Sequence, residues 1–145
     1  LLVRLGNVEL VEHAPGSRFA LEPGLEVESV AVPHRHEYAD TVAYRVRGGR
    51  RELLYLPDID RWDKAPGAYL AGCDLALLDG TFFDEDELPR MRDVPHPPIA
   101  VTLSLLSRTD AEKTRFLHFN HTNRVLAGGM PGVPVAREGD VFDLG

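Results

Sequence analysis

Four predicted strands of this sequence end at side chains that can bind a metal ion. His34 follows the apolar run VAVP, Asp58 follows LLYLP and Asp79 follows LALL, while His118 lies in RFLHF. In α/β sheets, binding and catalytic groups collect at the carboxyl ends of the strands, where the loops converge on a rigid support. Imidazole and carboxylate ligands suit Zn, Fe and Mn, whereas a soft-metal site needs more sulfur. The pattern therefore predicts a His/Asp metal site.

Each of these candidates also has a structural explanation that the sequence leaves open. A loop histidine is often solvated, an aspartate after a strand often caps a helix, and a histidine in an apolar strand can be satisfied by a hydrogen bond. His96, which lies among prolines, can equally be part of a structural loop. What favours a common site is that the candidates follow successive strands in order. The solvated-loop explanation applies to His34 and His36, and the hydrogen-bonded core explanation applies to His118. The helix-capping explanation applies to three aspartates, Asp58, Asp60 and Asp79.

Composition restricts the class of protein. The chain has 145 residues, a net charge of −7 and 43% hydrophobic residues, as expected for one globular domain or part of one. The acidic balance disfavours nucleic acid, because non-specific binding to phosphates depends on Lys and Arg. Cys73 is the one cysteine, which excludes an intramolecular disulfide and predicts a reducing, cytoplasmic location. Apolar runs far shorter than the roughly 20 residues that span a bilayer predict no membrane segment.

Hydropathy patterns predict an α/β fold in which buried strands alternate with short helices. The prolines near residues 65 and 98 favour helix starts. Two short edge strands are expected near the end of the chain. The predicted strands span residues 25–32, 42–46, 52–56, 74–78 and 115–119, the helices 65–73 and 99–107, and the edge strands 133–136 and 141–144.

A series of motifs then makes a family resemblance specific. VPHRHEYADTVAYRV, LLYLPDIDRW, CDLALLDGTFF, HPPI and FLHFNHTN occur in this order. Over residues 25–126 the chain resembles the C-terminal half of a metallo-β-lactamase-fold hydrolase, most of all the pyrroloquinoline-quinone biosynthesis protein B group and more distantly ribonuclease Z. The resemblance implies an αββα sandwich with a metal centre at one edge. The family's HxHxDH loop lies in its N-terminal half, and this sequence has no such motif, so we expect that half to be absent from the chain.

The resemblance also assigns roles to single residues. His34, Asp58 and His118 match metal ligands, with Asp58 bridging two ions. His121 competes with His118, because HFNH offers two histidines, but similar proteins typically have only the first of them. His96 matches the residue that assists proton transfer to the leaving group, and Asp79 would orient a neighbouring histidine. Supporting positions around the ligands are His36, Asp60, Thr81 and His121.

These assignments predict a metal-dependent hydrolase that acts on a small-molecule phosphodiester or other ester through a metal-activated hydroxide. The expected cofactor is a divalent metal, Zn with Mn or Fe as alternatives, in one or two ions. The alternatives from other classes are a non-catalytic binding module and a single-iron oxidative protein. The expected partners are a small-molecule substrate and either the missing N-terminal half or a second copy. That partner would cover apolar faces of four residues, Leu54, Leu56, Leu75 and Leu77.

Overall fold

A six-stranded mixed sheet organises the chain, with its strands side by side in sequence order. The computed structural model describes residues 3–35, 37, 39–87, 94–128, 130 and 132–145. The first four strands form an antiparallel meander, and the last three pair in parallel. The strands are β1 (Arg18–Glu22), β2 (Leu25–Ala31), β3 (Val42–Arg47), β4 (Glu52–Leu56), β5 (Leu75–Asp79) and β6 (Thr114–Leu117).

Three short helices lie in the two parallel crossovers. The connection from β4 to β5 contains α1 (Pro66–Leu70), and that from β5 to β6 contains α2 (Ile99–Leu105) and α3 (Arg108–Lys113). Proline occupies the start of α1, where its missing N–H costs no hydrogen bond. The Ser107 side chain caps α3 by accepting from the backbone N–H of Asp110. None of the helices in the described ranges is long and apolar enough to cross a membrane.

The main core lies between the helices and one face of the central strands. Leu54 and Leu56 of β4 are fully buried there, beside Leu78 of β5 and Phe116 of β6. Ile99 of α2 packs against this cluster. Burial of each such side chain contributes roughly 1.5–3 kcal/mol, so this face holds the parallel strands in place. The strand ends that carry the candidate ligands are therefore fixed by a packed core.

The apolar faces of the four leucines are covered within the described chain, which corrects the sequence-based expectation. Leu75 and Leu77 point to the opposite face from Leu54 and Leu56, because Leu54 pairs with Ala76 in the parallel register. All four are nevertheless buried. Exposed apolar side chains of the sheet include Leu21 of β1 and the cross-strand pair Tyr44 and Tyr55, which are 38% and 37% exposed.

Several predicted elements differ in extent from those observed. The helix expected over residues 65–73 is confined to α1, and the one over 99–107 ends at Leu105 before the separate helix α3. Residues 133–136 and 141–144 are not strands, although Val135 forms one isolated bridge to Phe116. The strand over 115–119 ends at Leu117, so His118 lies beyond it. β1 was not predicted, because its largely exposed sequence RFALE lacks an apolar alternation.

Candidate metal centre

The carboxyl ends of four strands meet at one edge of the sheet. β4, β5 and β6 are parallel, and β2 runs in the same direction because it is two antiparallel steps from β4. The residues that follow β2, β4 and β6 include His34, Asp58 and His118, and Asp79 is the last residue of β5. The topology thus brings together side chains that are up to 84 positions apart in sequence, from His34 to His118.

Three of these residues form a group of metal-ligand type. Asp58, Asp79 and His118 each offer one ligand atom, and these atoms all lie within 4.8 Å of one another. Asp79 is buried, Asp58 is half-buried and His118 is exposed, so the group opens to solvent on one side. His34, which the sequence also predicts as a ligand, lies beside this group, with its Nε2 atom 3.3 Å from Oδ2 of Asp58.

The carboxylate of Asp79 is fully engaged by hydrogen bonds. Its Oδ2 accepts from the backbone N–H of Ile59 at 3.1 Å and lies 2.7 Å from Nδ1 of His96. Its Oδ1 accepts from the backbone N–H and the hydroxyl of Thr81, at 2.9 and 2.7 Å. A carboxylate has about four lone-pair sites, and all four are occupied here. In this structure Asp79 therefore anchors Ile59, Thr81 and His96.

Asp58 differs from Asp79 in its hydrogen bonding, because one of its carboxylate oxygens is buried without accepting a hydrogen bond from the described residues. Its Oδ1 atom is buried and has no hydrogen-bond partner among the described residues. Burying a charged oxygen without a partner is costly unless a cation or donor compensates it. This Oδ1 atom lies 3.6 Å from Nδ1 of His96, beyond hydrogen-bond distance, and the other oxygen of Asp58 lies 3.3 Å from Nε2 of His34. A buried carboxylate oxygen without a donor, beside imidazoles, is the arrangement expected of a metal ligand. The residues present therefore fit a divalent ion.

The loop that carries His34 is held by Asp60. The backbone N–H of Asp60 donates to the carbonyl of Pro33 at 2.7 Å, and its Oδ2 accepts from the backbone N–H of Arg35 at 3.1 Å. Oδ1 of Asp60 lies 2.8 Å from Nδ1 of His34, but their orientation makes no hydrogen bond and both atoms stay unpartnered. The Thr41 hydroxyl donates to the carbonyl of His34. Asp60 thus fixes the backbone on both sides of that histidine.

His118 adopts a left-handed backbone conformation, with φ of 61°. This region is uncommon for residues other than glycine, although asparagine, aspartate and histidine are the most frequent of these, and it costs a non-glycine residue on the order of 1–3 kcal/mol. This backbone conformation lies directly after Leu117, the last residue of β6. Nδ1 of the His118 imidazole lies 3.2 Å from the Thr81 hydroxyl. Strained residues concentrate at functional sites, and His118 follows that pattern.

His96 reaches the same cluster from the loop before α2. Its ring centre lies 5.9 Å from that of His34 and 6.2 Å from that of His118. Burial alone would lower the pKa of His96, but its hydrogen bond to Asp79 and the charges of Asp79, Asp58 and Asp60 raise it above the ordinary value. The imidazole is therefore held close to carboxylates that favour its protonated form.

The remaining predicted residues fall in different places. Thr81 is buried within the cluster, where it contacts Asp79, His96 and His118. His121 is exposed in a turn and is outside the group of ligand atoms. His36 lies outside the described residues.

Two residues that the sequence analysis did not single out hold the loop of Asp79 and Thr81. Asn123 is buried, and its Nδ2 donates to the carbonyls of Gly80 and Thr81 at 2.7 and 3.2 Å. Gly80 donates its backbone N–H to the carbonyl of Leu117, and a Cβ there would lie 2.8 Å from that same oxygen. The sequence signals that could have indicated these two residues are the asparagine in the motif HTN and the glycine in the motif DGT.

Comparison with known proteins agrees with this architecture. The family model for the β-lactamase superfamily domain matches residues 2–119. The chain belongs to this family. The α/β fold of the metallo-β-lactamase type that the sequence predicts is confirmed by this match and by the solved structures it resembles.

Curated relatives carry one description, coenzyme PQQ synthesis protein B. The chain is 29% identical over 137 residues to that protein of Methylobacterium radiotolerans, covering 79% of this chain and 46% of the relative. It is 28% identical over 156 residues to that of Azotobacter vinelandii, covering 92% and 51%. The resemblance predicted from the motifs is therefore confirmed. The chain spans about half the length of the curated relatives it matches.

Two solved structures share the fold. The Zn²⁺-bound crystal structure of PqqB from Methylobacterium extorquens superposes with a TM-score of 0.63 at 25% identity, covering 91% of this chain and 55% of that one. A diphosphatase from the PhnP family superposes with a TM-score of 0.61 at 21% identity, covering 95% and 50%. The first of these shows that a similar fold binds zinc in a related protein.

Proposed function

We propose that this chain contributes the site of a metal-dependent hydrolase that cleaves a phosphodiester or other ester of a small molecule. The observation that carries the proposal is the convergence on Asp58 of His118, within the group of ligand atoms, and of His34, whose Nε2 lies 3.3 Å from Oδ2 of Asp58, while the buried Oδ1 of Asp58 has no hydrogen-bond partner among the described residues. Membership of the β-lactamase superfamily and similarity to a zinc-bound PqqB support it.

The proposed ligands are His34, Asp58 and His118, and the proposed metal is zinc, with manganese or iron as alternatives, in one or two ions. When bound, the ion supplies an activated water nucleophile and stabilises the charge that develops on the ester oxygens. Asp79 is excluded from the ligands because its oxygens already accept four hydrogen bonds. If two ions are bound, Asp58 is the carboxylate that would contact both, since its Oδ1 has no hydrogen-bond partner among the described residues and its Oδ2 lies 3.3 Å from Nε2 of His34.

His96 is the proposed proton donor to the leaving group. Asp79 holds its Nδ1 atom at 2.7 Å, so Nε2 is the ring nitrogen left to transfer a proton. Phe82, which is buried, packs its ring edge-on to His96 at 5.9 Å between centres and shields it from water. Asp79 thereby sets both the orientation of this imidazole and which atom faces the substrate.

The proposed substrate is a small molecule rather than a nucleic acid. The chain has a net charge of −7, and three carboxylates, those of Asp58, Asp60 and Asp79, lie at the site. A polyanion would meet repulsion over most of the surface, whereas one ester group needs only the local charge of the bound ion.

The test uses the complete gene product that carries this sequence. Bound metals are measured by mass spectrometry, and hydrolysis is followed with bis-p-nitrophenyl phosphate after loading with Zn or Mn. We expect Asp58→Asn to lose bound metal and to lose hydrolysis by more than the about 10- to 100-fold that a supporting residue costs. Asp74→Asn is the matched control. Asp74 immediately precedes β5, at the opposite end of that strand from Asp79 and the site, and its carboxylate accepts from the backbone N–H of Glu52. Full metal content and activity in Asp58→Asn would contradict the proposal.

Oxidation at a single iron ion is the second candidate function. Two imidazoles and one carboxylate, here His34, Asp58 and His118, form the ligand set typical of non-haem iron oxygenases. The curated relatives are described as coenzyme PQQ synthesis proteins, a description that does not specify hydrolysis. Two ions per chain with ester hydrolysis favour the first candidate, and one iron with oxygen consumption favours the second. A metal-free, intact fold would favour the non-catalytic binding module.

The tyrosine pair on the outer face of the sheet is the proposed contact surface for another polypeptide segment. Tyr44 and Tyr55 pair across β3 and β4 and are more than one third exposed, and the chain spans about half the length of its relatives. We propose that either the remaining half of such a protein or a second copy covers this pair, and that the 145-residue chain without such a partner does not form a stable, active monomer. Light scattering of the isolated 145-residue chain tests this proposal. A cooperatively melting monomer that hydrolyses the phosphodiester with added Zn would overturn it.

A further inference from the structure

The hydroxyl of Thr81 contacts three polar side chains of the site at once. Its Oγ1 atom lies 2.7 Å from Oδ1 of Asp79, 3.2 Å from Nδ1 of His118 and 3.3 Å from Nδ1 of His96. Thr81 is only 8% exposed, so the protein atoms rather than bulk water determine how this hydroxyl is oriented.

The position of the single hydroxyl proton follows from the contact with Asp79. A hydroxyl donates one hydrogen bond and accepts two, whereas a carboxylate only accepts. The contact between Thr81 and Asp79 is the shortest of the three, and it requires Thr81 to be the donor. The lone pairs of Oγ1 therefore face the two histidines.

An imidazole nitrogen that faces a lone pair must carry the proton. Nδ1 of His96 directs its proton at Oδ2 of Asp79, since that contact is 2.7 Å and the one to Thr81 is 3.3 Å. Nδ1 of His118 lies 3.2 Å from Thr81, which is its hydrogen-bond partner among the described residues. A proton on Nδ1 leaves the lone pair of that ring on Nε2.

We propose that Thr81 is a positioning residue that holds His118 in the Nδ1–H tautomer, so that Nε2 is available to bind the metal ion. The backbone on both sides of the hydroxyl is fixed, because Thr81 donates its N–H to Asp79 and its carbonyl accepts from Asn123 and Asn120. The metal-binding role of Nε2 depends on the proposed metal centre, whereas the tautomer depends only on the hydrogen bonds.

The tautomer is measured directly in the metal-free gene product by ¹⁵N–¹H correlation spectra of the histidine rings. Spectra are recorded about two pH units above the ordinary histidine pKa of about 6.5, where neutral rings dominate. We expect the His118 ring to carry its proton on Nδ1 in the wild type and in Thr81→Ser. In Thr81→Val, which removes the acceptor and keeps the shape, we expect the proton to shift toward Nε2.

Thr102→Val is the matched control. Thr102 is also a buried threonine, but its hydroxyl accepts from the indole N–H of Trp62, away from the site. We expect this variant to keep the wild-type tautomer of His118. Zinc titration should show about 10- to 100-fold weaker binding in Thr81→Val and little change in Thr81→Ser or Thr102→Val.

Two results would overturn the inference: an Nε2–H tautomer of His118 in the wild type, or an unchanged tautomer in Thr81→Val. If Thr81→Val does not fold, the wild-type and Thr81→Ser spectra still test the inference, because an Nε2–H tautomer of His118 in either protein would overturn it. Hydrolysis is not a readout here. A chain with the expected tautomer and no hydrolytic activity would therefore contradict the proposed function and leave this inference standing.

Discussion

Oδ2 of Asp79 lies 2.7 Å from Nδ1 of His96, and the carboxylate that makes this contact is completely buried. The same side chain accepts from Ile59 and twice from Thr81. The connection that follows β4 and two separate points of the connection between β5 and α2 therefore converge on one carboxylate. The stability of the site and its chemistry are coupled through this residue.

Asp79→Asn should destabilise the protein by about 1–3 kcal/mol, the cost of leaving buried donors unpaired. Each oxygen of Asp79 accepts two hydrogen bonds, so either orientation of the asparagine amide places its NH₂ group against two donors. Urea unfolding measures the difference. Asp74→Asn should cost much less, because its carboxylate accepts one backbone N–H and the amide oxygen can replace it. Equal stabilities of the two variants would show that the network is not required.

His118→Ala should remove bound metal, and His121→Ala should retain it. The reason is geometric: His118 belongs to the group of ligand atoms, whereas His121 is exposed in the next turn. Metal analysis after dialysis compares the two variants directly, and each is the control for the other. Loss of metal in His121→Ala alone would assign the ligand to the second histidine of HFNH.

The strands at the centre of the fold were predictable because burial leaves a plain signal in sequence. ELLYL and DLALL are nearly continuous apolar runs. β5 is buried along its whole length, as such a run predicts, whereas β4 buries one face and exposes Tyr55 on the other. β1 left no such signal, since its residues are exposed and it is held by one neighbour. Helix α3 also lacks an apolar stripe, although Ser107 followed by Asp110 is a capping pattern.

The candidate ligands were predictable because ligand-type residues after successive parallel strands must meet at one edge. How each residue is used there was not predictable. Asp58 and Asp79 are both aspartates near strand ends, and only the count of donors around each distinguishes the free oxygen of the first from the saturated second. Those donors come from loops far apart in sequence. The left-handed conformation of His118 likewise depends on the fold around it.

Gly80→Ala should destabilise the protein by about 1–3 kcal/mol, because the added methyl group has no space. A Cβ at this position would lie 2.8 Å from the carbonyl oxygen of Leu117, 2.9 Å from the ring of Phe119 and 3.0 Å from Cβ of Phe116. Thermal unfolding gives the difference. Gly128→Ala is the control, since a Cβ there meets no atom within 4 Å. A Gly80→Ala protein as stable as the Gly128→Ala protein would mean that β5 and β6 can separate at little cost.

Glu52→Gln should lower the free energy of unfolding by about 1 kcal/mol at neutral pH, because the carboxylate lies between two arginines on the sheet. Glu52 pairs with Arg45 and, at 2.5 Å, with Arg47, and its side chain is 14% exposed. Burial opposes ionisation, but the hydrogen bonds and charges of both arginines outweigh it and lower the pKa of Glu52 below its ordinary value.

The pH dependence of this effect follows from the direction of the pKa shift. A carboxyl group whose pKa is lowered by folding stabilises the protein above its unfolded pKa, about 4.3, and loses this contribution as the pH falls through the folded value. The stability difference between wild type and Glu52→Gln should therefore be full at pH 7 and should shrink below about pH 4. Urea titrations across this range measure it. Glu26→Gln is the control at neutral pH: its half-exposed carboxylate contacts Arg47 at 3.2 Å, so its loss should cost only about a few tenths of a kcal/mol. If the stability difference between wild type and Glu52→Gln stays constant through the acid range, the negative charge of Glu52 does not contribute to its interaction with the two arginines.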